Sequence, residues 1–395
     1  MSTSADGTTS PFTVLVKPSG ADCNLACEYC FYLDKGSLYP HSHLRMTDTV
    51  LEAYIQQLLA SQPTGEISLA WQGGEPTLMG PDFFERSVKL VERYRNPRQR
   101  VCYSLQTNGI LLNNEWCAFF KANDFLIGLS LDGPAQMHDA YRVDQGGKGT
   151  FDRVIGSWNL LKQFRVDTNI LCTINAANAS HPLEVYRFFR DDLQADFLQF
   201  IPIVEPLPAD QHGEVRVSSR SVTPAQFGSF LAGIFDEWIR RDVGRMFVQT
   251  FDAALAAWCG LPASVCAYQE VCGSSLVLEH NGDLYPCDHF VGPANRLGNI
   301  LEKPLAELAG LPLQRQFGLE KRDGLPTCCR QCEVGFACRG ECPRNRFSRT
   351  PDGQEDRLNY LCAGYKHFFN HIDAPMRSMS SLLHQGRPAA EIMSL

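Results

Sequence analysis

Cys23-Asn24-Leu25-Ala26-Cys27-Glu28-Tyr29-Cys30 places three thiols at C-x3-C-x2-C spacing just after an apolar, β-branched run at residues 12–17. Three thiolates this close in sequence can hold three irons of a [4Fe–4S] cube. The fourth iron then has no protein ligand and stays open to a substrate or cosubstrate, as an open position distinguishes catalytic from structural zinc. Two plainer readings fit the same spacing: three incidental buried cysteines, or three-quarters of a zinc site.

From that loop to about residue 204, short β-branched or apolar runs alternate with amphipathic segments, which implies parallel β/α units. Residues 12–17, 67–72, 101–106, 126–131, 167–173 and 197–203 read as six strands, with helices near 49–61, 81–94, 114–123, 151–164 and 182–193. Thr49 and Glu52 are spaced as a capping box for the first helix. Residues 205–221 carry Pro, Gly and Ser and break the rhythm. Thr223-Pro224-Ala225-Gln226 then offers an N-cap, a proline at the first helical position and a capping glutamine. Beyond Cys259 short elements are expected, as where metal rather than apolar burial organises the chain. The division this predicts is a disordered N-terminus at 1–11, a β/α region at 12–220, connecting helices at 221–260, a cysteine-rich domain at 261–370 and a tail at 371–395.

The chain has 395 residues, 44% hydrophobic and 20% charged, which suits two or three packed units and excludes disordered or fibrous classes. No apolar stretch approaches the roughly 20 residues that span a bilayer. The Ser/Thr-rich start has no basic region or apolar segment of the secretory kind, so a cytoplasmic protein with no membrane partner is expected. With 36 basic against 44 acidic side chains the net charge is −8, which offers no footprint for a nucleic-acid backbone.

Sixteen cysteines without an export signal argue for metal rather than disulfides. Cys266, Cys272, Cys287, Cys329, Cys332, Cys338, Cys342 and Cys362 supply eight thiols, enough for two complete four-cysteine sites. Spacing alone suits zinc or iron. Cys102, Cys117, Cys172, Cys259 and Cys328 are left over, and the C-x2-C spacing to Cys332 favours Cys329 over Cys328 as the ligand. Within this block Tyr285-Pro286-Cys287-Asp288-His289-Phe290 sets a carboxylate beside a ligand, where it can take a proton. Its plainer reading is an exposed loop aspartate.

The cysteine run, with Tyr29 inside it and Phe31-Tyr32 after it, resembles the signature of the radical S-adenosylmethionine (SAM) superfamily. Gly73-Gly74-Glu75-Pro76 resembles that family's glycine-rich SAM motif, and the C-terminal cysteines resemble its SPASM extension. With Trp71-Gln72 and Leu105-Gln106-Thr107-Asn108-Gly109, residues 12–370 are similar to the anaerobic sulfatase-maturating enzymes. The resemblance implies an α/β fold, a partial (β/α)6 TIM-type barrel followed by an iron–sulfur cluster-binding SPASM domain. It implies three [4Fe–4S] clusters: an open one on Cys23, Cys27 and Cys30, a first auxiliary one on Cys266, Cys272, Cys287 and Cys342, and a second on Cys329, Cys332, Cys338 and Cys362. SAM would be bound by Tyr29, Gly73, Gly74, Glu75, Ser130 and Arg142, the last a guanidinium fork for its carboxylate. Leu198 would touch the adenosine, although a core strand leucine is its plainer reading.

By the same resemblance, the reduced open cluster cleaves SAM to a 5′-deoxyadenosyl radical. That radical takes a hydrogen from Cβ of a Cys or Ser in an unfolded sulfatase segment, Asp288 removes the thiol or hydroxyl proton, and a second electron passes to an auxiliary cluster. The product is formylglycine, and a donor such as flavodoxin or ferredoxin supplies electrons. One rival is a SPASM enzyme acting on another ribosomal peptide; such enzymes often carry a leader-binding domain, and with 22 residues before Cys23 none is expected. The other is a non-catalytic iron–sulfur electron carrier or zinc-stabilised binding module, against which the glycine motif, Ser130 and Arg142 argue. Gly146-Gly147-Lys148-Gly149-Thr150 lacks phosphate-loop spacing and reads as a surface loop, and the ten histidines show no paired-ligand spacing.

Overall fold

A computed structural model describes residues 12–40, 44–211 and 214–394; the N-terminal segment 1–11 lies outside the described residues. Its strands are β1 (Thr13–Lys17), β2 (Gly65–Trp71), β3 (Gln99–Thr107), β4 (Leu126–Ser130), β5 (Thr168–Ile174), β6 (Phe197–Pro202), β7 (Phe247–Val248), β8 (Ser275–Glu279), β9 (Asp283–Tyr285), β10 (Gly298–Asn299), β11 (Arg346–Ser348) and β12 (Leu358–Asn359). The six expected strands are β1 to β6, with ends displaced by at most two residues. The helices Pro81–Tyr94 and Phe151–Phe164 fall where expected. The helix at Pro182 is α-helical to Arg187 and then widens to a π-turn over Phe188–Asp192.

Two caps separate local signal from tertiary context. Thr223 and Gln226 form the expected capping box. The first helix, Asp48–Ser61, is instead capped by Thr47, whose hydroxyl accepts from Val50 N at 3.3 Å. Glu52 is drawn away by Tyr94, whose hydroxyl donates to its carboxylate at 2.5 Å.

The chain divides into two compact units. The first comprises Met1–Ser130, Arg142–Thr168 and Cys272–Leu319, with strands in the order β10-β9-β8-β1-β2-β3-β4. β8, β1, β2, β3 and β4 run parallel, and β8, β9 and β10 pair antiparallel. The cysteine-rich region thus lends a hairpin to the sheet, in a register that sets Thr13 against Ser275 and Lys17 against Glu279. Gln57 ties down the stretch after it, donating to Ile300 O at 2.9 Å and accepting from Leu305 N at 2.7 Å. Tyr54, Trp71, Phe83 and Phe84 form an edge-to-face core with ring centroids 5.2–6.1 Å apart.

The second unit comprises Leu131–Tyr141, Asn169–Val271 and Glu320–Leu395, with β6 parallel to both β5 and β7. Its helices Pro224–Arg241 and Cys362–His371 meet at Gly228 and Gly364; a Cβ on Gly364 would lie 2.2 Å from Pro224 O. Residues 371–395, expected as a tail, include the helix Asp373–His384, which buries Met376, Met379 and Leu382. Among the described residues no helix is long and apolar enough to cross a membrane.

Candidate functional site

β1 ends at Lys17 and the chain turns at once into the cysteine loop, with Gly20 N donating to Lys17 O and Asp22 N to Ser19 O. Two neighbours of the first unit hold this loop. On one side Glu75 N donates to Asp22 O at 2.8 Å and Ser19 Oγ to Gly73 O at 3.2 Å. On the other, Ala26 N donates to Val143 O at 2.9 Å, and Gln145 Nε2 reaches the carbonyls of Cys23 and Leu25. Gly73 (φ +100°) and Gly74 (φ +48°) make the first clamp possible. A Cβ on either would lie 2.1 Å from another atom, Lys17 Cδ or Asp22 O respectively.

Glu75, expected to touch SAM, is engaged within the chain. It is 1% exposed, and its carboxylate accepts from Thr77 N (3.0 Å), Thr77 Oγ1 (2.6 Å), Thr107 Oγ1 (2.8 Å) and Asn108 N (2.8 Å). Burial pushes its carboxyl above the ordinary value while these donors pull it down. Asn108, fixed in this way, sends its amide to Asn24 Oδ1 at 2.8 Å and towards Cys23 Sγ at 3.7 Å. Leu25 N–H also points at Cys23 Sγ, at 3.4 Å.

Burial pushes the Cys23 thiol up to about 12, with Glu75, Cys27 and Cys30 close enough to add to the shift. A thiol so placed sheds its proton when a cation takes its place. Cys23 with Cys27 and Cys30 near it, and with N–H donors on the Cys23 sulfur, suits the chemistry of an iron–sulfur cube with one open iron.

Arg142 is buried, its guanidinium 5.5 Å from the centroid of the Tyr29 ring, so it is no surface ion pair. Ser130 ends β4, and its hydroxyl accepts from Gln106 Nε2 at 2.9 Å; Gly128 leaves room for Gln106 to pass. Leu198 lies in β6 of the second unit, 1% exposed, in keeping with its plainer reading as a core leucine.

Asp288 stands in the first unit with Lys17, whose Nζ is 3.8 Å from its Oδ2, and Cys287 Sγ donates towards its Oδ1 at 3.6 Å. Lys17 is 1% exposed and lies over the Tyr32 ring, 4.4 Å from its centroid. Burial lowers the ammonium's pKa, while Asp288, Glu279, Cys287 and Cys30 raise it. Period-two alternation places Lys17 on the face of Thr13 and Leu15 rather than of buried Val14 and Val16, so the sequence carries no sign of its burial.

In the second unit Cys329 lies in the helical turn Thr327–Arg330, Cys338 ends Gly335–Cys338 and Cys362 opens Cys362–His371. Cys328 and Cys362 act on the Cys329 thiol, Cys362 and Cys329 on Cys338, and Cys332 and Cys328 on Cys362. Burial pushes Cys329 up to about 12 and raises Cys338 as well. A cavity of about 570 Å3 opens beside Cys329 and Cys332, lined also by Arg322, Arg330, Arg339 and Phe336. The other expected set divides, with Cys272 and Cys287 in the first unit and Cys266 and Cys342 in the second. Among the described residues no group of three or more His, Cys, Asp or Glu has already converged on a cation position.

Two cations missed by sequence reasoning, buried Lys321 and half-buried Arg346, brace these loops. Lys321 donates to the carbonyls of Cys266 and Ala267, both at 2.7 Å. Arg346 donates to the carbonyls of Lys321, Arg339, Gly340 and Glu341 at 2.6–3.1 Å, fastening a left-handed run over 339–341. The cysteine spacing marks the loops but not the residues that hold their carbonyls.

The radical SAM superfamily profile matches residues 18–189, and the profile of an iron–sulfur cluster-binding domain, SPASM, matches residues 266–333. A serine-type anaerobic sulfatase-maturating enzyme of Bacteroides thetaiotaomicron is 44% identical over 97% of this chain and 94% of its own length. A cysteine-type enzyme of that kind from Clostridium perfringens is 35% identical over 91% of this chain and 96% of its own. Among solved structures, native anSMEcpe with bound AdoMet and the Cp18Cys peptide superposes with a TM-score of 0.84 at 33% identity, covering 95% of this chain and 100% of that one.

Proposed function

This chain belongs to the anaerobic sulfatase-maturating enzymes of the radical SAM superfamily, and from that premise we propose how its residues divide the work of formylglycine formation. Cys23, Cys27 and Cys30 would hold the open cluster. Cys266, Cys272, Cys287 and Cys342 would hold one closed cluster, and Cys329, Cys332, Cys338 and Cys362 another, three in all. When loaded, the open cluster with SAM would supply radical chemistry for removing a hydrogen from the target Cβ, and the closed clusters would supply one-electron acceptors.

The protein's own residues bind, orient and deprotonate. Arg142, buried against Tyr29, pairs with the SAM carboxylate, and Ser130 adds a hydroxyl. Gly73 and Gly74 offer backbone on the cofactor side, and Leu198 lends apolar surface to the adenosine. Glu75 acts through Asn108, holding the amide that faces Cys23. Asp288 takes the proton from the thiol or hydroxyl of the target residue. The substrate is an unfolded sulfatase segment bearing Cys or Ser, acted on in the cytoplasm, and a flavodoxin or ferredoxin provides electrons.

The observation that carries this reading is the placing of Asp288 beside Cys287 and Lys17, a cation that also feels Cys30. The test is Asp288→Asn in an anaerobic reaction with paired Cys and Ser peptides. Formylglycine per 5′-deoxyadenosine should fall by about 10²–10⁴-fold, the range for losing a general base, while SAM cleavage continues. An unchanged ratio shows that Asp288 is not the base. Loss of both products at constant iron content shows that it positions substrate or SAM instead.

A further inference from the structure

Burying an ammonium group is costly unless it is paired, yet three parts of the first unit accommodate that of Lys17. The register of β1 and β8 brings it beside Glu279. Gly73 leaves a channel for its stem, since a Cβ there would lie 2.1 Å from Lys17 Cδ. The Tyr32 ring underlies the charge at 4.4 Å. The two carboxylates in reach are not equivalent. Glu279 accepts from the Tyr32 hydroxyl through one oxygen and lies 3.4 Å from His280 Nδ1 through the other. Asp288, on the loop after β9, has its Oδ2 3.8 Å from the ammonium.

We infer that Lys17 is a positioning residue for the deprotonation step: its ammonium, 3.8 Å from Oδ2, holds the Asp288 carboxylate at a fixed place on that loop, beside Cys287, where it meets the substrate. The inference rests on the reading of Asp288 as the base. Because the ammonium is anchored on a strand and the carboxylate on a loop, losing the pair frees the loop side chain while the sheet stays in place. Misplacing a reacting group by about 1 Å can cost on the order of 10²-fold in rate.

The test is Lys17→Met, close in length and without charge, in the reconstituted holoenzyme beside D288N and the double variant. Formylglycine per 5′-deoxyadenosine should fall roughly 10- to 100-fold in K17M with iron content and peptide KM unchanged. The double variant should be no worse than D288N, because two residues acting through one group are not additive. A normal ratio in K17M beside a reduced one in D288N overturns the role of Lys17 and leaves the base reading intact. A normal ratio in D288N overturns both. Full additivity in the double variant shows that Lys17 acts elsewhere. Loss of iron in both K17M and Lys17→Gln makes Lys17 a structural residue and ends the proposal.

Discussion

Replacing Glu75 by alanine removes the acceptor of four hydrogen bonds in a site that is 1% exposed. The Thr77 and Thr107 hydroxyls can rotate to other partners, but Thr77 N–H and Asn108 N–H are fixed by the backbone. A buried donor left without a partner costs about 1–3 kcal/mol, so the two together cost about 2–6 kcal/mol, a large part of a typical stability of about 5–15 kcal/mol. Glu75→Gln keeps the shape; turning its amide nitrogen towards Asn108 spoils a single contact, for about 1–3 kcal/mol. Backbone hydrogen exchange read by mass spectrometry reports the two sites directly. Protection at Thr77 and Asn108 should drop roughly 5- to 150-fold in E75A, the same energy expressed as an opening equilibrium. E75Q should show the loss at Asn108 alone. SAM cleavage should fall in both, because Asn108 carries the amide that faces Cys23. Unchanged protection at Asn108 in E75A, with iron content intact, would refute this account and return Glu75 to a role in cofactor contact only.

Arg142→Ala should weaken SAM binding about ten- to a hundred-fold by equilibrium titration, since a charge-assisted bond to a carboxylate contributes about 1.5–3 kcal/mol, and leave iron content unchanged. Cys329→Ala should cost about four irons per chain by colorimetric assay, whereas Cys328→Ala should keep the full complement. Gly364→Ala forces a methyl to within 2.2 Å of Pro224 O, so it should lower stability by about 1–3 kcal/mol in urea unfolding and release iron from the Cys362 site under a chelator sooner than the parent does.

The β/α region was legible because its signals are local. Alternating or apolar runs mark β1 to β6, and Thr223 with Gln226 mark a helix start through bonds three residues apart. The Thr49–Glu52 reading failed because Glu52 pairs with Tyr94, 42 residues away. The cysteines and Asp288 were visible as residue types at short spacings. What orients them was not: Lys17 is buried through pairing with a strand some 260 residues later, and Arg346 finds four carbonyls that have no side-chain signature. The hairpin from β8 to β9 was missed for the same reason, since three- and five-residue strands among glycines and cysteines form only when a sheet edge is waiting for them.

That edge has a consequence for how the protein is made. Thr13 and Ser275 are partners in a parallel ladder but leave the ribosome 262 residues apart. At about 5–20 residues per second, β1 waits roughly 13–50 s with one row of N–H and C=O groups open to any other strand. During that interval Lys17 lacks Glu279 and Asp288, and the cysteine loop hangs from a strand paired on one side only. Iron offered on the nascent chain to the proposed ligands Cys23, Cys27 and Cys30 would therefore meet an unfinished pocket. Productive loading belongs after synthesis, and a chaperone or a low growth temperature that guards the open edge should raise the yield of metallated enzyme more than added iron does.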